Sequence, residues 1–149
     1  MEIEIDQSVK IEDTAGDTVL AFANDVQRAI IIPAAVKRKA LAYLRDRGKS
    51  RKVAVLAVFA AGLFLLLRDA AESTTLAVID QEYTGHDALI KDRLLQLLRT
   101  EGLRVYPDTF AFGCVGKKSK AHDLAMKVHR GKLTADHQVT LKELLEALR

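Results

Sequence analysis

Apolar and polar residues alternate at the start of the chain. Ile3 and Ile5 are set between Glu2, Glu4 and Asp6, the two-residue period of a strand with one covered face. Thr14-Ala15-Gly16-Asp17 has turn composition, Thr18–Ala23 reads as a second strand, Asn24-Asp25 as the next turn and Arg28–Ile32 as a third strand. The period then changes. Pro33 suits the first turn of a helix, where its missing N–H costs nothing. Ala34–Arg47 carries Val36, Ala40, Leu41, Tyr43 and Leu44 on or near one side, and Gly48 ends it. Residues 52–71 predict a second helix that is apolar nearly all round. Such a helix needs cover from the sheet, a neighbouring helix or a second subunit.

Thr75–Ile79 is almost continuously apolar, as a central strand covered on both faces should be. Asp87–Thr100 is amphipathic, with Leu89, Ile90, Leu94, Leu97 and Leu98 inward and Gly102 as its stop. Thr109–Val115 alternates through Phe110, Phe112 and Cys114 and predicts a fifth strand with Cys114 in the core. Ser119 caps a helix carrying Asp123, Leu124, Met126 and Val128 that ends at Gly131. A last amphipathic helix covers 140–149. The order is three strands joined by short turns, one or two helices, a strand, a helix, a strand and two helices. It predicts a single α/β domain over 1–149, with a five-stranded mixed sheet: a three-strand antiparallel meander plus two parallel strands, flanked by helices.

Charge sharpens this picture. The net charge of +3 is too small to imply nucleic acid by itself, but its distribution is uneven. The first 17 residues are acidic apart from Lys10. Residues 37–52 hold Lys37, Arg38, Lys39, Arg45, Arg47, Lys49, Arg51 and Lys52 against Asp46 alone. A second basic stretch runs through Lys117, Lys118, Lys120, Lys127, Arg130 and Lys132. An acidic focus between basic segments suits a site that holds metals and borders phosphates. The single cysteine, Cys114, rules out an intrachain disulfide and fits a reducing, cytoplasmic setting. The apolar run Val53–Leu67 is 15 residues long, against the roughly 20 of a membrane span, so a buried helix and no membrane is the expectation. The acidic N-terminus has no signal-peptide pattern.

Three aspartates carry the candidate chemistry. Asp6 closes the opening strand in Ile5-Asp6-Gln7-Ser8, Asp80 closes a later strand in Ile79-Asp80-Gln81-Glu82-Tyr83, and Asp123 lies in a helix in Ala121-His122-Asp123-Leu124-Ala125. If the two strands are neighbours and the helix packs over them, the carboxylates converge. Clustered carboxylates repel unless cations neutralise them, and hard oxygen ligands favour Mg²⁺ or Mn²⁺. The element order and these residues resemble the ribonuclease H-like superfamily, over roughly residues 1–131. The resemblance implies a metal-dependent nuclease, in which Asp6 bridges two metals, Asp80 or Glu82 binds one and Asp123 the other. His122 matches a histidine that resolvase-like members carry near the last acid. The pattern departs from ribonucleases H proper in having no carboxylate over 33–44 and in the added apolar helix at 52–71.

Gly116-Lys117-Lys118-Ser119-Lys120 lacks phosphate-loop spacing, yet it stands at a helix N-terminus, where N–H groups and the helix dipole favour anions. Lys117, Lys118, Ser119 and Lys120 are therefore candidate contacts to DNA or RNA, with His122 or Lys120 available to move a proton or hold a phosphate. Two functions are in view: a nuclease acting on structured DNA or RNA, and a non-catalytic module of the same fold that binds nucleic acid or protein. The resemblance to resolvase-like members also implies a homodimer, with helix 52–71 as the candidate surface.

Overall fold

The computed structural model describes all 149 residues. The strands are β1 (Glu2–Ser8), β2 (Thr18–Ala23), β3 (Gln27–Ile32), β4 (Leu76–Asp80), β5 (Phe110–Gly113) and β6 (His137–Gln138). The helices are α1 (Ala34–Asp46), α2 (Arg51–Leu67), α3 (Asp87–Thr100), α4 (Lys120–His129) and α5 (Leu141–Leu148). They form a mixed sheet in the order β5-β4-β1-β2-β3-β6. β1, β2 and β3 are the antiparallel meander, while β4 runs parallel to β1 and β5 parallel to β4.

The expected five strands become six. β6 is only two residues long and pairs in parallel with the outer edge of β3, through Ile30–His137 and Ile31–Gln138. A two-residue strand has no periodicity to read. It forms because the chain between α4 and α5 is held against β3: the Asp136 N–H donates to the Ala29 carbonyl, and the Asp136 carboxylate accepts from the Ala29 N–H.

Side-chain alternation divides the core. Ile3, Ile5, Leu20, Phe22, Ile30, Ile32, Ala77, Ile79 and Phe110 face α2 and α3 in one large cluster. Val19, Ala21 and Ala29 face the opposite way and meet Leu124, Ala125 and Val128 of α4. α4 lies across β1, β2 and β3. Every residue of α2 from Ala54 to Leu67 is buried, beneath α1, α3 and α5 on one side and the sheet on the other. The cover that this helix demands thus comes from within the chain. Gly62 marks a close approach to the sheet, because a Cβ there would stand 2.7 Å from Leu20 Cδ1. The helix stops at Leu67, and the chain turns through Arg68–Ala70 before β4. No helix is long and apolar enough to cross a membrane.

Cys114 corrects the sequence expectation of a core residue. β5 ends at Gly113, one residue before the alternation would bury it, and Cys114 is exposed.

Candidate metal centre

The strand periods place the first two acids. Ile5 and Ile79 are paired neighbours on β1 and β4, and both point into the large core. One residue further along each strand, Asp6 and Asp80 point to the other face, where α4 lies. Glu82 follows two residues beyond Asp80, just past the strand end. One carboxylate oxygen from each of Asp6, Asp80 and Glu82 lies within 4.8 Å of the other two.

The cluster is anchored by donors. The Gln7 N–H donates to Asp6 Oδ1 at 2.8 Å, and the Val115 N–H donates to Asp80 Oδ1 at 2.9 Å. His122 Nδ1 is 2.7 Å from Asp6 Oδ2. Lys10 Nζ stands 3.8 Å from Glu82 Oε2. The electrostatics record the crowding. Burial pushes the Asp6 carboxyl up, against the hydrogen bonds from His122 and Gln7. Burial, followed by a shared hydrogen bond with Asp80 and repulsion from it, pushes Glu82 up to about 7. Three carboxylate oxygens gathered this closely, from strands that fix two of them, have the character of a site for a hard divalent cation.

Asp123 is not part of this group. Its side chain is 62% exposed and pairs with Lys127 at 2.9 Å, one turn along α4. The helix phase explains the difference. Ala121, Leu124, Ala125 and Val128 are the buried residues of α4. At about 100° per residue, His122 falls on the flank of that stripe and Asp123 nearly opposite it. α4 therefore contributes an imidazole to the site, and Glu82 fills the place that Asp123 was expected to take. Asp80 and Glu82 both take part.

Of the expected phosphate contacts, Lys117, Lys118 and Lys120 are exposed on the turn that enters α4. The Ser119 hydroxyl accepts from the Ala121 N–H at 3.1 Å and caps that helix. The turn is joined to the site at both ends, through Val115 on Asp80 and His122 on Asp6.

The loop after β1 holds residues that sequence reasoning missed. Lys37 of α1 is fully buried. Its Nζ donates to the Asp13 carbonyl at 2.7 Å, to Thr18 Oγ1 at 2.9 Å and to the Lys10 carbonyl at 3.4 Å. Burial pulls its pKa down, against the pull of Asp13 and Asp17. Tyr83, just past Glu82, accepts from the Ile11 N–H and donates to the Glu12 carboxylate. Burial pushes the Tyr83 phenol up. Val9 sits at φ 62°, a left-handed conformation that is strained for a β-branched residue. The fixed loop delivers Lys10 to Glu82. The one available signal was that Lys10 is the sole cation among the first 17 residues.

Compared with protein-family models, curated proteins and solved structures, the chain matches none.

Proposed function

We propose that this protein is a metal-dependent phosphodiester hydrolase, a nuclease of ribonuclease H-like type acting on structured DNA or RNA. The observation that carries the reading is the convergence of Asp6, Asp80 and Glu82 from two parallel strands, with His122 against Asp6. A three-strand antiparallel meander joined to two parallel strands, which the element order led us to expect, is compatible with this reading.

In this reading Asp6, Asp80 and Glu82 hold Mg²⁺ or Mn²⁺. When bound, the cation supplies Lewis acidity: it lowers the pKa of a coordinated water and offsets charge on the phosphate oxygens. The chain's own residues do the rest. His122 fixes the orientation of the Asp6 carboxylate, and its remaining ring nitrogen is available to move a proton. Lys10 neutralises Glu82 and supplies a cation beside the scissile phosphate. Lys117, Lys118 and Lys120 contact the flanking backbone without reading sequence.

The alternative, a binding module without catalysis, draws on the outward-facing Asp123, which leaves α4 with no carboxylate in the cluster. A cleavage panel separates the two. Duplex, hybrid, flap and four-way-junction substrates are incubated with Mg²⁺ or Mn²⁺, using wild type and Asp6→Asn. The nuclease reading expects cleavage by wild type, and retained binding without cleavage by the variant. Binding without cleavage of any substrate by wild type selects the module.

A further inference from the structure

A second polar feature borders the loop that carries Lys10. Between α1 and the N-terminal turn of α2 is a depression of about 210 Å³. Three of its seven lining residues are arginines, Arg38, Arg45 and Arg51, and none is acidic. None of the three forms an ion pair. Two are held in place by the backbone of the β1–β2 loop: Arg38 Nη1 donates to the Thr14 carbonyl at 2.8 Å, and Arg51 Nη2 donates to the Glu12 carbonyl at 3.4 Å. The Arg45 side chain has no hydrogen-bond partner in the chain. Leu41 and Ala54 form part of the floor.

Three arginines lining one hollow bring like charges to it that an anion would join. Their planar forks match the oxygens of a phosphate, and anchoring two of them beforehand reduces the entropy lost on binding. We infer that this depression is a phosphate-binding site, and that its ligand is a phosphodiester of a polynucleotide strand that continues to the carboxylate cluster. The identity of the strand rests on the nuclease reading; the phosphate site does not.

The loop touches both features. Lys10 touches Glu82 of the cluster, and Thr14 touches Arg38 of the depression. Those two residues are four positions apart, so their backbones lie within about 14 Å at the limit of about 3.6 Å per residue. The same loop, pinned by Lys37 and Tyr83, therefore joins the proposed anchor to the proposed cutting site.

The test uses the intact protein in EDTA, so that binding is read without cleavage. Affinity for a labelled duplex is measured by fluorescence anisotropy across a salt series for wild type, Arg45→Gln and Lys142→Gln. Arg45 is the informative position because it anchors nothing in the fold, and Lys142 is an exposed control with the same change of charge. The expected result is a several-fold loss of affinity for Arg45→Gln alone, with the slope of log K against log salt reduced by about 0.9. In parallel, inorganic phosphate and a nucleoside monophosphate are titrated while the Arg45 Nε–H resonance is followed. Shifts that saturate and are displaced by the duplex support the whole inference. Shifts that the duplex does not displace overturn the polynucleotide as ligand. No shift, together with identical salt slopes for the two variants, overturns the site. Loss of cleavage in the substrate panel with the Arg45 effect intact would sink the nuclease reading and leave the phosphate site standing.

Discussion

His122 Nδ1 lies 2.7 Å from Asp6 Oδ2, joining the fourth helix to the first strand across 116 residues of sequence. Asp6 is 5% exposed and His122 about a third, so the carboxylate is the buried partner and the imidazole its link to solvent. In this geometry His122 orients the Asp6 carboxylate, a ligand in the proposed metal centre. Groups in that role typically contribute 10- to 100-fold to metal affinity or activity. His122→Ala is therefore expected to weaken Mn²⁺ binding and cleavage by about that factor, with a folded circular dichroism spectrum, while Asp6→Asn removes both. Equal Mn²⁺ affinity in wild type and His122→Ala would remove His122 from the site.

Asp123 and Asp80 give opposite expectations. The Asp123–Lys127 pair is a solvent-exposed contact between residues four apart on a helix, a kind that contributes about 0.3–0.5 kcal/mol. Asp123→Asn should leave metal binding unchanged and stability within about half a kcal/mol. Asp80→Asn should abolish metal binding. A loss of Mn²⁺ binding in Asp123→Asn, measured by calorimetry, would restore the ligand set that the sequence suggested.

The difference between those two aspartates marks what was legible in the chain. Asp6 and Asp80 follow Ile5 and Ile79, whose strand period fixes the face of each neighbour; two positions per repeat leave little room for error. On a helix, a carboxylate one residue off the apolar stripe turns by about 100°. The stripe Ala121, Leu124, Ala125, Val128 was present in the sequence and already turned Asp123 away; its helical phase, weighed against the resemblance, would have chosen His122. The six-strand sheet was not legible, because His137–Gln138 is too short to show a period. Nor was the role of Lys37, because a lysine amid basic neighbours on α1 looks solvated until the β1–β2 loop folds over it and its carbonyls accept hydrogen bonds from the ammonium.

The Glu82 carboxyl gives a signed pH dependence. Its pKa in the fold, about 7, lies above the ordinary 4.5, so between those values the folded protein binds more protons than the unfolded chain. The metal-free protein should be favoured at low pH and lose stability as pH rises from about 4.5 through about 7. Asp6, also pushed up, acts in the same sense. Bound cation opposes the loss because it takes the deprotonated carboxylates. The Tm gain from Mn²⁺ should therefore be larger at pH 8 than at pH 5.5. Glu82→Gln should flatten the metal-free profile; a variant profile that tracks wild type across this range contradicts the assignment.

Two buried positions report on the frame that holds the site. Gly62→Ala places a methyl 2.7 Å from Leu20 Cδ1 and 3.2 Å from Ile32 Cδ1. Overpacking of about 1–3 kcal/mol outweighs the gain of about 1 kcal/mol in helix propensity, so a net loss of about 1 kcal/mol is expected in urea unfolding. Lys37→Met leaves the Asp13 carbonyl and Thr18 Oγ1 without their ammonium donor. A loss of about 1–3 kcal/mol is expected, with faster amide exchange confined to the loop at 9–17. Unchanged exchange in that loop would show that Lys37 does not hold it.

The acidic cluster is tested most directly by Mn²⁺ titration of the purified protein at pH 7.5, followed by calorimetry and by electron paramagnetic resonance, in wild type and Asp6→Asn. Saturable binding by wild type that disappears in the variant, both proteins being folded, is the expected result. Equal binding by the two, or none by wild type at millimolar Mn²⁺, contradicts a metal centre at Asp6, Asp80 and Glu82.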